Sequence, residues 1–155
     1  MKKNILPGKY IILLLFLGVF AFASCKKDKN EDEKKPTKKE LLANKWKVSD
    51  IQDAAGNSYI NVPIDQIKCL KDNTFTLRLD NSYTIDEGSV VCDPSTAQSG
   101  TWSLTGSDTK IEFKQTGTDP LVVTLVDINA TTLKISYELT NIPLPGIYTV
   151  TLQKQ

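Results

Sequence analysis

A chain of 155 residues, two-fifths of them apolar, is long enough for one domain with a core of its own. The formal charge of +1 hides a division: lysines crowd the first 40 residues, whereas Leu41 to Gln155 carries more acidic than basic groups, and Arg78 is the only arginine. That balance argues against a nucleic-acid face, and the absence of histidine removes any Ser-His-Asp or Cys-His arrangement and any histidine metal site, so neither an enzyme nor a cofactor is expected.

Lys2, Lys3 and Lys9 precede an almost wholly apolar run, Tyr10 to Ala23, that turns sharply polar at Ser24. This is the pattern of a secretory signal over residues 1–24, since a membrane-spanning helix needs about 20 apolar residues. Phe22-Ala23-Ser24-Cys25 resembles a bacterial lipoprotein processing box, with Phe22 in place of the usual Leu. The resemblance implies that Cys25 becomes an acylated mature N-terminus and anchors the protein to a membrane. Two or more acyl chains make such anchoring stable. Lys26 beside the cysteine points to the outer membrane, and the acids Asp28, Glu31, Asp32 and Glu33 fit display at the cell surface. Residues 25–36 read as a flexible charged tether, because Lys26 to Lys35 contains no apolar residue to bury.

The folded domain is expected over residues 37–155. Thr37 to Glu40 has capping-box spacing, and Leu41 and Leu42 then begin a short helix. Trp46 and Val48 share a face of a first strand over 45–51, Gln52 to Ser58 is a loop, and Pro63 to Ile67 is one turn of helix or an irregular crossing. Phe75, Leu77 and Leu79 alternate with polar residues, Asp80-Asn81 turns the chain, and Tyr83 and Ile85 resume the alternation, giving a β-hairpin. Cys69 and Cys92 lie outside its ends, and in an exported domain one disulfide would clamp the hairpin's base.

Further strands follow at Gly100 to Leu104 and at Ile111 to Phe113, with a turn at Gly106-Ser107-Asp108 between them. Leu121 to Val126 is apolar on both faces, which suggests cover on both. Leu133, Ile135, Tyr137 and Leu139 alternate with polar residues, Asn141 to Gly146 is a loop, and Ile147 to Leu152 is the final strand. About eight short strands fit an up-and-down barrel or a two-sheet sandwich.

Leu41 to Val48, the Cys69 to Cys92 hairpin, Ser99-Gly100-Thr101-Trp102 and Thr132 to Tyr137 together resemble the lipocalin-like domains of Bacteroidetes lipoproteins. The resemblance implies an all-β, eight-stranded antiparallel up-and-down barrel entered by a short N-terminal helix. It also implies a tryptophan packed at the closed end, here Trp46, with a basic residue of the last strand over it, for which Lys154 is available. The Gly of the family's Gly-x-Trp is replaced by Asn44.

Adjacent Asp86 and Glu87 invite a glycosidase reading, but neighbours on a strand point to opposite faces, so solvated hairpin residues are expected instead. Trp46, Phe75, Leu77, Tyr83, Trp102, Phe113 and Tyr137 are the candidate ligand-binding residues, forming an apolar pocket with tyrosine hydroxyls as polar handles. The expected partner is a small hydrophobic ligand. The competing expectation is that the same side chains fill the barrel, leaving an interaction or accessory module whose protein partner the sequence does not name.

Overall fold

Pro36 is followed by a complete capping box: Thr37 Oγ1 accepts the Glu40 N–H at 3.2 Å, and Glu40 Oε2 accepts the Thr37 N–H at 2.7 Å. These bonds satisfy donors that a helix start leaves free. In the computed structural model, which describes residues 34–140 and 145–155, they start α1 at Lys38–Leu42, so Leu41 and Leu42 end the helix instead of beginning it. The expected signal, Cys25 and the tether before Lys34 lie outside the described residues, as does most of the expected Asn141–Gly146 loop.

The alternating segments form β1 (Lys45–Gln52), β2 (Thr74–Leu77), β3 (Ser82–Asp86), β4 (Gln98–Thr105), β5 (Lys110–Lys114), β6 (Leu121–Ile128), β7 (Thr132–Leu139) and β8 (Gly146–Lys154). Each pairs antiparallel with the next, and β8 pairs back onto β1, so the sheet is a closed barrel and not a sandwich. Closure pairs every strand on both sides and leaves no edge. The base of the barrel carries α1, the turns β2–β3, β4–β5 and β6–β7, and the end of β8. The mouth is the opposite end.

Two irregularities keep the core face apolar. In β1, Val48 pairs with Leu152 but Asp50 pairs with Thr151, so Ser49 is an extra residue. The bulge changes the parity of the strand, and Ile51 joins Trp46 and Val48 inside instead of Asp50. In β6 a second shift between Leu125 and Asp127 does the same, bringing Ile128 opposite Leu133. Val123 and Leu125 are buried, but Val122 and Val126 are exposed, which corrects the expectation of cover on both faces of this run. A single-walled barrel has only one dry side.

The base is sealed by two tryptophans. Trp46 and Trp102 are 0% and 2% exposed. The indole N–H of Trp46 donates to the Leu42 carbonyl at 2.9 Å, fastening α1, and that of Trp102 donates to the Arg78 carbonyl at 3.0 Å, fastening the β2–β3 turn. Register sets Lys154 opposite Trp46. The β2–β3 turn is longer than expected: Arg78 N–H bonds the Ser82 carbonyl, Asn81 adopts φ 70°, and β2 stops at Leu77, leaving Leu79 exposed on the turn. Gly100 faces Tyr83 across β3 and β4, and a Cβ there would collide with the Lys114 carbonyl, so the β4–β5 pairing needs glycine.

Candidate functional site at the mouth of the barrel

The segment from Gln52 to Thr74 crosses the mouth and contains α2 (Asp65–Asp72), two turns of helix where the sequence suggested one turn or an irregular crossing. Ile67 and Leu70 of α2 pack against the core. The Cys69–Cys92 disulfide forms as expected, but Cys69 is helical. The bond therefore ties α2 to the β3–β4 loop and does not clamp two paired strand ends.

Two carboxylates reinforce this tie. Asp72 Oδ2 accepts the backbone N–H groups of Ser89 at 2.6 Å and Val90 at 2.9 Å, and Lys47 Nζ lies 3.4 Å from its other oxygen. The Val90 and Ser89 bonds hold the Asp72 carboxyl below its usual range, with Lys47 a smaller influence. A Cβ on Gly88, whose φ is 64°, would lie 2.7 Å from Asp72 Oδ2, so both backbone and contact require glycine there.

Glu87 is 8% exposed, which corrects the expectation of a solvated residue. Its Oε1 accepts the Thr96 N–H at 2.6 Å, the Thr96 hydroxyl at 2.9 Å and the Cys92 N–H at 3.2 Å, while Oε2 accepts the Ser95 hydroxyl at 2.8 Å. The Thr96 backbone bond is the foremost cause of a carboxyl held below its usual range. Thr96 Oγ1 also accepts from Asn73 Nδ2 at 2.7 Å, and Asn73 is fully buried at the end of α2. Asp86 is exposed, so the adjacent acids do point apart. Glu87 spends its acceptors within its own loop. Among the described residues no cluster of acids and cysteines could hold a metal ion.

The β1–β4 side of the mouth is thus closed by a clamped helix and loop. The β5–β8 side is more open. Register puts Leu121 opposite Phe113, Ile135 opposite Val150 and Tyr137 opposite Tyr148, all on the inward face. Yet Leu121 is 39% and Tyr137 40% exposed. Tyr59, from the crossing segment, meets Tyr148 edge to face with ring centroids 5.9 Å apart. Between them and the start of β8 lies a cleft of about 380 Å³ walled by Ala54, Ala55, Tyr59, Gly146, Ile147 and Tyr148, with Asp53 at its edge. That volume suits a small organic molecule. Asp53 accepts from the Asn57 side chain and N–H, the Ala55 N–H and the Tyr59 hydroxyl at 2.8 to 3.1 Å, so its carboxyl is held low, chiefly by the Asn57 side chain. The Tyr59 hydroxyl is correspondingly pushed up by its bond to Asp53. These groups suit binding more than proton transfer.

The seven candidate ligand residues divide between the two ends. Trp46, Leu77, Tyr83 and Trp102 are buried in the packed lower barrel. Register pairs Trp46 with Phe75, Leu77 with Tyr83 and Trp102 with Phe113, and the rings of Tyr83 and Phe113 meet at 5.2 Å. Burial pushes the Tyr83 hydroxyl up. Phe75 and Phe113 are half-buried, and Tyr137 stands apart at the mouth on the far wall. Sequence reasoning did not find Tyr59, Leu121 or Tyr148. Tyr148 had a signal, since it shares the parity of Val150 and Leu152 on the last strand.

The chain matches the family model of the lipocalin-like domain over residues 42–135. It is similar to the solved structure of a lipocalin-like protein from Bacteroides uniformis, with 16% identity and a TM-score of 0.47 over 74% of this chain and 98% of that one. No curated protein matches it.

Proposed function

The chain belongs to the family of lipocalin-like domains, and on that premise we propose that it is a non-enzymatic binding protein, lipid-anchored at the outer membrane through Cys25, that takes a small apolar ligand at the mouth of its barrel. The observation that carries the ligand is the half-exposed inward face of β6 to β8, where Leu121 and Tyr137 present apolar surface, Tyr137 directly across from Tyr148 of the cleft. Inward apolar side chains left open to water at the rim of a closed barrel gain by covering, at about 25 cal/mol for each Å² removed from water. The lower barrel is filled by Trp46, Trp102, Leu77 and Tyr83, so the ligand sits high.

The test is native mass spectrometry with organic extraction on the compact unit Lys35–Gln155, produced in an oxidising compartment. A bound apolar molecule, lost when Tyr137→Glu is introduced without loss of fold, supports a carrier. A protein that is empty and takes up nothing from a lipid mixture overturns the ligand and favours the filled-barrel interaction module. Mass analysis of the mature N-terminus tests the anchor separately.

A further inference from the structure

The charges of the barrel are sorted along its axis. At the base, Lys45, Arg78, Lys110, Lys134 and Lys154 are exposed on strand ends and turns, and Lys38 and Lys39 of α1 stand beside them. Against these seven cations stand four acids, Glu40, Asp80, Asp108 and Asp127, the last across the strand pair from Lys134, so basic side chains are in excess at this end. At the mouth the balance reverses. Exposed Asp65, Asp86, Asp93, Asp119 and Glu138 face Lys68, Lys71 and Lys114, and Lys68 is drawn to Asp65 at 2.9 Å.

A second feature marks the basic end. A cleft of about 330 Å³ lies between the start of α1 and the β2–β3 and β4–β5 turns, lined by Lys38, Lys39, Asn81 and Asp108, with Trp102 and Leu104 of β4 behind them. Lys38 Nζ donates there to the Asp108 carbonyl at 2.8 Å. Lys39 and Asn81 add an ammonium and an amide to the same wall. The polypeptide also enters the barrel at this end, through Lys35, Pro36 and Thr37.

We propose that the base is a membrane-facing surface that rests on anionic phospholipid head groups, with the mouth held away from the bilayer. The proposal rests on the anchor at Cys25. A ten-residue charged tether spans roughly 33 to 36 Å when extended, so covalent anchoring alone leaves orientation free. Attraction of the lysine-rich base and repulsion of the acidic mouth, both acting within a Debye length of about 8 Å, set it. The ligand cleft then opens toward the aqueous side, where cargo is exchanged without the barrel leaving its membrane.

The experiment uses the full mature protein, purified from bacterial membranes and returned to vesicles of phosphatidylcholine alone or with roughly one-third phosphatidylglycerol. Amine-reactive acetylation, read lysine by lysine, is expected to slow about fivefold at Lys45, Lys110 and Lys134 on the anionic vesicles. Lys68, Lys71 and Lys114 should label equally on both, and about 1 M salt should erase the difference. Equal labelling of both ends, or slowing at the mouth, overturns the orientation. Mass analysis of the same sample reads the anchor: an unmodified Cys25 overturns the anchor and the orientation with it, whereas acylated protein with no difference between ends overturns the orientation alone.

Discussion

The carboxylate of Asp72 accepts the backbone N–H of Val90 at 2.9 Å, joining the last turn of α2 to a loop eighteen positions further along the chain. The disulfide one helical turn earlier spans 23 positions, from Cys69 to Cys92. Covalent bond and hydrogen bonds therefore hold the same two segments, and the closed side of the mouth is a single clamped unit.

Removing the disulfide with Cys69→Ala and Cys92→Ala together should cost about 3 kcal/mol, from the loop-closure entropy returned to the unfolded chain. Because Asp72 and Glu87 still grip the loop, the barrel should persist. Urea unfolding gives the loss, and adding Asp72→Ala to the double variant should raise amide exchange at Ser89 and Val90 well beyond either change alone.

Glu87 gives the clamp a defined pH response. Its carboxyl titrates below its ordinary value, so its contribution is fully present above the unfolded pKa and fades as pH falls through the folded one. Stability should therefore decline below about pH 4.5. In Glu87→Gln the melting temperature should be lower at neutral pH and fall less on acidification. A parallel pH profile in the two proteins would show that Asp72 and the other low-titrating aspartates carry the acid response.

Trp102→Ala should lose about 3 to 5 kcal/mol, since it empties the packed base. Trp102→Phe keeps most of the volume and removes one of the two bonds to the Arg78 carbonyl, which still accepts the Asn81 N–H at 3.0 Å, at about 0.5 to 1.5 kcal/mol. Comparing the two by denaturant melts separates packing from the hydrogen bond.

Leu121→Lys at the open wall should change stability by no more than about 0.5 kcal/mol. It should still lower uptake of an apolar fluorescent probe about tenfold, which fluorescence titration reads. Uptake equal to that of the unaltered protein would move the ligand away from β6.

Gly100→Ala should cost about 1 to 3 kcal/mol, because its Cβ meets the Lys114 backbone and no flexible side chain can yield. Circular dichroism melts measure it.

By itself the sequence determined the strands, the capping box and the turns, because these obey short-range rules. Period-2 alternation places Trp102, Ile111 and Leu133 inside, and Asp80-Asn81 turns the chain through a positive φ at Asn81. Two cysteines flanking the hairpin, read with the expectation of export, likewise named the disulfide. Tertiary structure alone decided closure, since the pairing of β8 with β1 joins opposite ends of the domain and leaves no local mark. It also decided the bulges at Ser49 and Val126, where one inserted residue changes which face every later side chain takes. The helix at Asp65–Asp72 was hidden because Ile64, Ile67 and Leu70 offer helical spacing over too short a run, and it is fixed by packing on the core and by contacts to the distant loop. Glu87 shows the same limit: its burial depends on donors from Cys92, Ser95 and Thr96 that only the folded loop brings together. The mouth was the least legible part for this reason, as Tyr59, Tyr137 and Tyr148 come from separate elements and meet only when the barrel closes.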